Sequence, residues 1–127
     1  MLVLENVLSD RGSRYAVAGG PCADGAAARE LLRALRRDRR IAKATHHSWA
    51  LIGREGALKG DDGEAGAGAV VLRELEREGL TEHLVVVIRW FGGKHLGGDR
   101  FRHVREATRI CIAALSRDND RGTGRGD

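Results

Sequence analysis

Hydrophobic and polar positions alternate over short stretches in the first half of the chain, and this is the period of a β-strand. Strands are therefore predicted over residues 2–8 and 13–18, with a turn at 9–12 between them. A further strand is predicted over 44–53, and a short stub at 57–59 is expected to pair with it. The first half of the chain is thus predicted to supply most of a sheet.

Three other stretches place apolar residues three and four positions apart, which is the period of an α-helix. The first helix is predicted over 25–37 with Asp24 as its N-terminal cap, and the second over 66–78 with Gly79 ending it. The third is predicted to begin after Gly98, with one buried face made of Phe101, Val104, Thr108, Cys111 and Leu115.

The order of these elements favours an α+β fold, because the strands do not alternate regularly with helices. We predict a two-layer sandwich, in which helices cover one face of a four-stranded mixed sheet. The chain has 127 residues, enough for one core, and residues 1–116 are predicted to form a single domain. Residues 117–127 have no apolar period and are predicted to be a disordered tail.

The segment 84–109 gives the strongest indication of a binding site. A buried strand at 85–88 is followed by the glycine pairs 92–93 and 97–98, and then by the start of a helix. Glycine permits positive φ and close approach of the backbone, and a helix N-terminus presents unpaired N–H groups that favour anions. Positive charge surrounds this loop through Arg89, Lys94, Arg100, Arg102 and Arg105. The segment therefore predicts an anion site, although no Gly-Lys-Ser/Thr follows as in a Walker loop.

Aromatic and nucleophilic side chains add little to this picture. Trp90 and Phe91 end the buried strand and are expected to fill core or interface space, although Trp90 beside Arg89 suggests a nucleic-acid contact. There is no GxSxG motif, and Cys111 is on the predicted core face of the last helix. A covalent enzyme mechanism is therefore not expected.

A second glycine-rich segment carries three carboxylates within four residues, those of Asp61, Asp62 and Glu64. They are either oxygen ligands for a hard divalent cation or turn residues that bond the N–H groups of the next helix. His46 and His47 point to opposite faces of a strand, and His46 is expected to face the acidic turn. As a third interpretation, the acidic turn and the basic loop simply pair with each other.

Charge and cysteine content change the picture only slightly. Lys and Arg exceed Asp and Glu by 22 to 18, which is compatible with RNA partners, but on charge alone an ordinary soluble protein is favoured. The two cysteines form no CxxC motif and are expected to stay reduced. No segment resembles a signal peptide or a membrane span. We therefore expect a cytoplasmic protein with no cofactor, no bound metal and no membrane contact.

Four segments together resemble one protein family, and they are DRGS at 10–13, IAKATHHSWA at 41–50, DDGEAGAG at 61–68 and VVVIRWFGGKHLGGDRFRHVREATR at 85–109. In this order they resemble the IMPACT family, which includes eukaryotic translation regulators and bacterial proteins of the YigZ type. The chain looks like a stand-alone N-terminal-type domain of that family. The resemblance implies a fold like the fourth domain of elongation factor G and RNase PH, with a left-handed βαβ crossover.

The resemblance also implies a function and a site. Eukaryotic relatives restrain a starvation-responsive translation kinase by binding its protein partner, which implies a non-enzymatic module in translation regulation and stress response. RNA, the ribosome or a protein is the expected partner, and the oligomeric state is left open. Motif residues and neighbouring cations give the candidate binding set His46, Asp61, Asp62, Glu64, Arg89, Gly92, Gly93, Lys94, Gly97, Asp99, Arg100 and Arg105.

One alternative function and one departure from the family pattern complete the prediction. The alternative is a small metal-assisted phosphoester hydrolase that uses His46 and the acidic turn at 61–64. The departure is Lys94-His95, which stands where the family usually has two apolar residues. These two polar side chains either add contacts to an anion or loosen the packing of the loop.

Overall fold

The computed structural model describes the backbone of residues 1–125 and the side chains of residues 1–118. Strands and helices follow each other from the N-terminus as β1 (Leu2–Asp10), β2 (Ser13–Pro21), α1 (Gly25–Leu35), α2 (Arg39–Ala42), β3 (His46–Gly53), β4 (Gly56–Asp62), α3 (Ala67–Glu78), β5 (His83–Trp90) and α4 (Asp99–Arg125). The predicted α+β class is confirmed. The short helix α2 was not predicted from the sequence.

The strands form one five-stranded sheet in the order β1-β2-β5-β3-β4, and every neighbouring pair is antiparallel. The predicted four-stranded mixed sheet is therefore corrected in strand number and in strand direction. The stub expected at 57–59 is a full strand, paired with β3 from His47↔Asp62 to Gly53↔Gly56. Most of β4 is exposed at the edge of the sheet, so its sequence lacks the alternation that marks a half-buried strand.

Helices cover both faces of the sheet, whereas the sequence predicted helices on one face. Helices α3 and α4 pack on one face, and Ala28, Leu35 and Ile41 of α1 and α2 pack on the other. The physical reason lies in β5, where residues 84–89 are all buried. A strand that is apolar on both faces needs cover on both.

The sheet order requires one left-handed crossover. Helix α1 connects β2 to β3, α3 connects β4 to β5, and each connection passes over one intervening strand. Each connection joins two parallel strands, but β2 and β3 run opposite to β4 and β5. The two connections also cross the sheet in opposite directions. A rotation of 180° about an axis perpendicular to the sheet superimposes the strands of one connection on those of the other. The two helices then still lie on opposite faces of the sheet. They therefore have opposite hands, which agrees with the left-handed crossover implied by the family resemblance.

Four of the five predicted helix ends agree with the structure to within one residue. Asp24 caps α1 by accepting a hydrogen bond from the Ala27 amide at 2.9 Å, and Gly79 ends α3 in the left-handed region at φ 63°. Helix α4 begins at Asp99, directly after Gly98. Helix α1 stops at Leu35, two residues earlier than predicted.

The C-terminal end differs from the predicted tail. Helix α4 continues to Arg125, so residues 117–125 are helical where disorder was predicted, and residues 126–127 lie outside the described part. A long helix anchored by a buried face extends readily, because propagation needs no new nucleus. The domain boundary at residue 116 stays a prediction. Among residues 1–125, no helix combines the length and apolar character needed to cross a membrane.

Candidate functional site

A buried ion pair joins the acidic turn to the basic strand end. Arg89 near the end of β5 donates through Nη1 to Glu64 Oε1 at 2.7 Å, and the two side chains are only 6% and 4% exposed. Arg89 Nη2 also lies 3.4 Å from the Ser13 hydroxyl oxygen. The third interpretation of the sequence, mutual pairing of the two segments, therefore holds for Glu64 and Arg89.

Asp61 serves the start of α3. Its carboxylate accepts hydrogen bonds from the backbone amides of Gly66 at 3.1 Å and Gly68 at 2.5 Å. Helix α3 begins at Ala67, so these are amides of its first turn, which have no partner inside the helix. Asp61 is thus a helix cap, as the turn interpretation of the acidic segment predicted.

Asp62 is held by side chains from two other elements. Its carboxylate lies 3.1 Å from Arg36 Nη2 and 2.9 Å from His47 Nδ1, and its carbonyl oxygen lies 3.1 Å from His46 Nδ1. Both histidines therefore contact Asp62, although only His46 was expected to face the turn. His47 and Asp62 are direct partners across β3 and β4, which places their side chains together on one face.

Each carboxylate of the acidic turn thus has its own partners. Asp61 accepts from backbone amides, Asp62 contacts a histidine and an arginine, and Glu64 pairs with an arginine. Within the described residues, no group of three or more His, Cys, Asp or Glu side chains could hold a metal ion. Divalent ions need several oxygens converging on one point. The side chains proposed for a metal-assisted hydrolase, His46 and the carboxylates at 61–64, therefore make hydrogen bonds and ion pairs within the protein instead.

The glycine loop approaches another segment of backbone. A Cβ at Gly92 would overlap Gly12 and Ser13 in the turn between β1 and β2, and the Gly92 amide donates to the Ser13 hydroxyl at 3.2 Å. Gly93 and Gly97 have φ of 92° and 57°, as expected for glycines that permit a left-handed conformation. Gly92 therefore brings the glycine loop into close contact with the turn between β1 and β2.

Three amides at the start of α4, where an anion site was predicted, already have partners inside the protein. The amides of Asp99, Arg100 and Phe101 donate to the carbonyls three residues earlier, at 3.1, 3.4 and 3.2 Å. A helix N-terminus attracts anions chiefly through N–H groups that have no partner. Here the preceding glycine loop supplies those partners.

Asp99 belongs to a polar cluster at the turn between β1 and β2. Its carboxylate contacts Arg11 Nη2 at 2.5 Å, and Arg11 also pairs with Asp10. Hydrogen bonds from Arg11 and then from His103 lower the pKa of Asp10 to about 2. Burial raises the pKa of Tyr15, whose ring packs against His103, to about 12. The cluster fixes the turn that the glycine loop contacts.

A cleft of about 400 Å³ opens between the acidic turn and the glycine loop. Arg100 is its one lining arginine without an ion pair to any residue that the structure describes, and its Nε is buried without a hydrogen-bond partner there. The guanidinium of Arg100 lies 4.7 Å from the centre of the Phe101 ring. The cleft is lined by Thr45, His46, Gly63, Glu64, Ala65, Arg89, Phe91, His95, Leu96 and Arg100.

Comparison with known proteins assigns the family. The family model described as "Impact N-terminal domain" matches residues 11–112. This chain belongs to that family. Protein IMPACT homolog of Saccharomyces cerevisiae is 31% identical over 119 residues, and Protein IMPACT of Homo sapiens is 32% identical over 118 residues. Each match covers 88% of this chain but only 46% and 37% of those proteins, so the chain spans less than half of their length.

Solved structures give the same picture of this Impact N-terminal domain. A crystal structure described only as that of a hypothetical protein superimposes with a TM-score of 0.77 over 87% of this chain and 57% of its own. At 24% identity that likeness shows the fold alone. The two-domain translational regulator Yih1 is 31% identical, with a TM-score of 0.52, over 83% of this chain and 43% of its own.

The cleft of this Impact N-terminal domain contains only part of the predicted residue set. His46, Glu64, Arg89 and Arg100 line it, whereas the other candidates cap helices, bridge loops or face elsewhere. Lys94 is exposed on the glycine loop outside the cleft lining. Arg105 lines a different groove, between α3 and α4.

Two aromatic side chains of the cleft were not predicted as site residues. Phe91 is 42% exposed, and its ring centre lies 5.4 Å from that of His95 with an angle of 35° between the planes. Phe91 was expected to fill core or interface space, and because β5 before it is buried on both faces, no alternation marked Phe91 as exposed. The polar residue His95 inside the glycine loop was the available signal.

Proposed function

We propose that this chain is a non-enzymatic binding module in translation regulation, and that it contacts its partner through the cleft beside the glycine loop. Membership of the Impact N-terminal family and the likeness to the translational regulator Yih1 support the biological setting. The observation that carries the proposal is the contrast between the side chains of the cleft. The acidic groups are committed to the fold, while Phe91, His95 and Arg100 remain available for contacts.

The available groups favour binding over catalysis. Burial raises the pKa of the Cys111 thiol to about 12 and also raises the pKa of Cys22, so neither thiol is a ready nucleophile. The carboxylates of the acidic turn already accept hydrogen bonds from the protein. An exposed aromatic ring and an unpaired arginine that line one cleft suit recognition, because such residues are enriched at contact surfaces.

A crosslinking pull-down from the native cell tests this function with two charge-reversal variants. Arg100→Glu changes the cleft, and Arg29→Glu makes the same charge change on α1, which packs on the opposite face of the sheet. We expect the wild type and Arg29→Glu to capture ribosomal components or translation factors, and Arg100→Glu to lose them. Treatment with ribonuclease separates RNA-dependent partners from direct protein partners. Identical captures by all three proteins would rule out the cleft as the contact surface.

A further inference from the structure

A second basic surface lies between α3 and α4, outside the cleft beside the glycine loop. It is a groove of about 550 Å³ with a partly apolar floor that includes Val70 and Phe101. Each helix contributes two arginines spaced four residues apart, so that the pairs project from neighbouring turns. We call this surface the arginine groove, and its arginines are Arg73, Arg77, Arg105 and Arg109.

Most of this positive charge has no fixed partner. Arg109 is held by the buried Glu74 through contacts of 3.0 and 3.4 Å, and Glu106 and Glu78 also act on its charge. The other three arginines of the groove form no ion pair with any residue that the structure describes. Like charges four residues apart destabilise a helix, so the groove carries repulsion that a bound polyanion would relieve. The groove is therefore suited to a ligand with several negative charges.

The chemistry of arginine favours phosphate as that charge. Its planar guanidinium presents donors in a fixed fork, which matches the oxygens of a phosphate in a bidentate contact. All the unpaired cations of the groove are arginines, and no lysine lines it. Repeated phosphates along a nucleic-acid backbone would meet both helices of the groove.

The arginine groove continues into the cleft. Gly66 and Phe101 line the groove, and their direct neighbours Ala65 and Arg100 line the cleft. The exposed Phe91 ring also lines the cleft. A positive groove that leads to an aromatic ring is the usual arrangement for single-stranded nucleic acid, whose backbone follows the charge and whose bases stack on the ring.

We propose that the arginine groove is the backbone track of a single-stranded RNA whose base stacks on Phe91 in the cleft. The choice of RNA rests on the proposed function in translation, and the track itself rests on the charges of the groove. Three phosphate contacts are assigned, to Arg73, Arg77 and Arg105. The contact of the base is assigned to the pair of rings formed by Phe91 and His95.

The test is fluorescence anisotropy of the full chain with a labelled oligouridine of about 12 nucleotides, measured over a range of salt concentrations. Each lost contact to a single strand should lower the slope of log K against log salt by about 0.7. Replacing Arg73, Arg77 and Arg105 by serine should therefore lower the slope by about 2. Equivalently, raising the salt concentration from 50 to 200 mM should weaken RNA binding by the wild type about 18-fold more than binding by the triple variant.

A matched control removes the same charge from the other face of the sheet. The control triple variant replaces Arg29, Arg33 and Arg37, which are exposed on and just after α1. We expect its salt slope to stay close to that of the wild type. An equal fall in both triple variants would mean attraction by net charge alone and would overturn the track. Thermal unfolding by circular dichroism checks that both triple variants remain folded.

Phe91→Ala separates stacking from charge. We expect it to weaken binding about fivefold or more while leaving the salt slope unchanged. An unchanged affinity would overturn the stacking contact, and equal affinity for an oligoglutamate of the same charge would overturn RNA as the occupant. Absence of RNA binding at low salt would overturn this inference alone. The proposed function fails on a different result, in which Arg100→Glu retains every crosslinked partner.

Discussion

The buried pair of Glu64 and Arg89 leads to the sharpest prediction about stability. Glu64→Gln keeps the size of the side chain and one hydrogen bond, but it removes the negative charge. Arg89 then keeps its positive charge at 5% exposure, near the Tyr15 and Phe91 rings and with the Ser13 hydroxyl at 3.4 Å as its other hydrogen-bond partner among the described residues. An unpaired charge in such surroundings is strongly unfavourable, because neither water nor an anion compensates it.

The expected loss follows from that burial. Removing one member of a buried ion pair lowers the free energy of unfolding by about 3–5 kcal/mol. With a urea dependence of about 2 kcal/mol per molar, the unfolding midpoint should fall by roughly 1.5–2.5 M. The exposed pair of Arg54 and Glu82, at 3.1 Å with side chains 71% and 50% exposed, is the matched control. Glu82→Gln should cost less than about 1 kcal/mol.

Urea unfolding, followed by tryptophan fluorescence and circular dichroism, measures both variants. A third protein carrying Glu64→Leu together with Arg89→Met removes both charges and fills the space with apolar groups. It should lose much less stability than the sum of its two single variants, since no buried charge remains. A midpoint for Glu64→Gln equal to that of Glu82→Gln would refute the reasoning. Arg89 would then be free to serve a ligand.

Three further outcomes are expected. Asp10, with its pKa lowered from 3.8 to about 2, stabilises the fold fully above about pH 5 and loses this contribution as pH falls through 3.8 to 2. Asp10→Asn should therefore flatten the acid limb of stability measured from pH 6 to 2. Gly92→Ala should cost about 3 kcal/mol or more, because its Cβ overlaps backbone, whereas Gly98→Ala has open space and should be near neutral by urea unfolding. Cys22 and Cys111 are buried with raised pKa, so Ellman's reagent should label them only after unfolding.

The sequence predicts the fold of this chain well where burial is one-sided. Helix α3 shows its apolar face in the sequence, and Gly79 ends it as expected. Prediction of strands and layers from the sequence fails where hydrophobic and polar residues do not alternate. Strand β4 is mostly exposed, so its sequence predicted only a stub. The unbroken apolar run of β5 requires cover on both faces, but the run alone does not show that the helices at 25–42 supply the second layer. The strand order is not visible in the sequence at all, because it depends on long-range pairing.

The sequence predicted several residues of the candidate site, but it did not predict how these residues contact each other. The motif segments identified both Glu64 and Arg89, but the sequence left their relation open between a metal site, a cap and a pair. Arg100 and Arg105 were grouped by closeness in sequence, yet five residues along a helix turn the side chain by roughly 140°. That rotation places Arg100 at the cleft and Arg105 at the arginine groove. Residues that are neighbours in a sequence motif can therefore lie on different sides of a helix, as Arg100 and Arg105 do.

The most specific block of the sequence is therefore chiefly a scaffold. A phosphate cradle needs free backbone amides and a free cation, and here the amides at the start of α4 and the charge of Arg89 both have partners inside the protein. These contacts are required for the fold whatever the partner is. Under the proposed function, the contacts to the partner are made by the side chains of this block that stay available, which are Arg100, Phe91 and His95, with Lys94 exposed on the same loop. Two of these stand where the IMPACT family usually has apolar residues, so substitutions at 94 and 95 should alter which partner binds while leaving the stability of the scaffold unchanged.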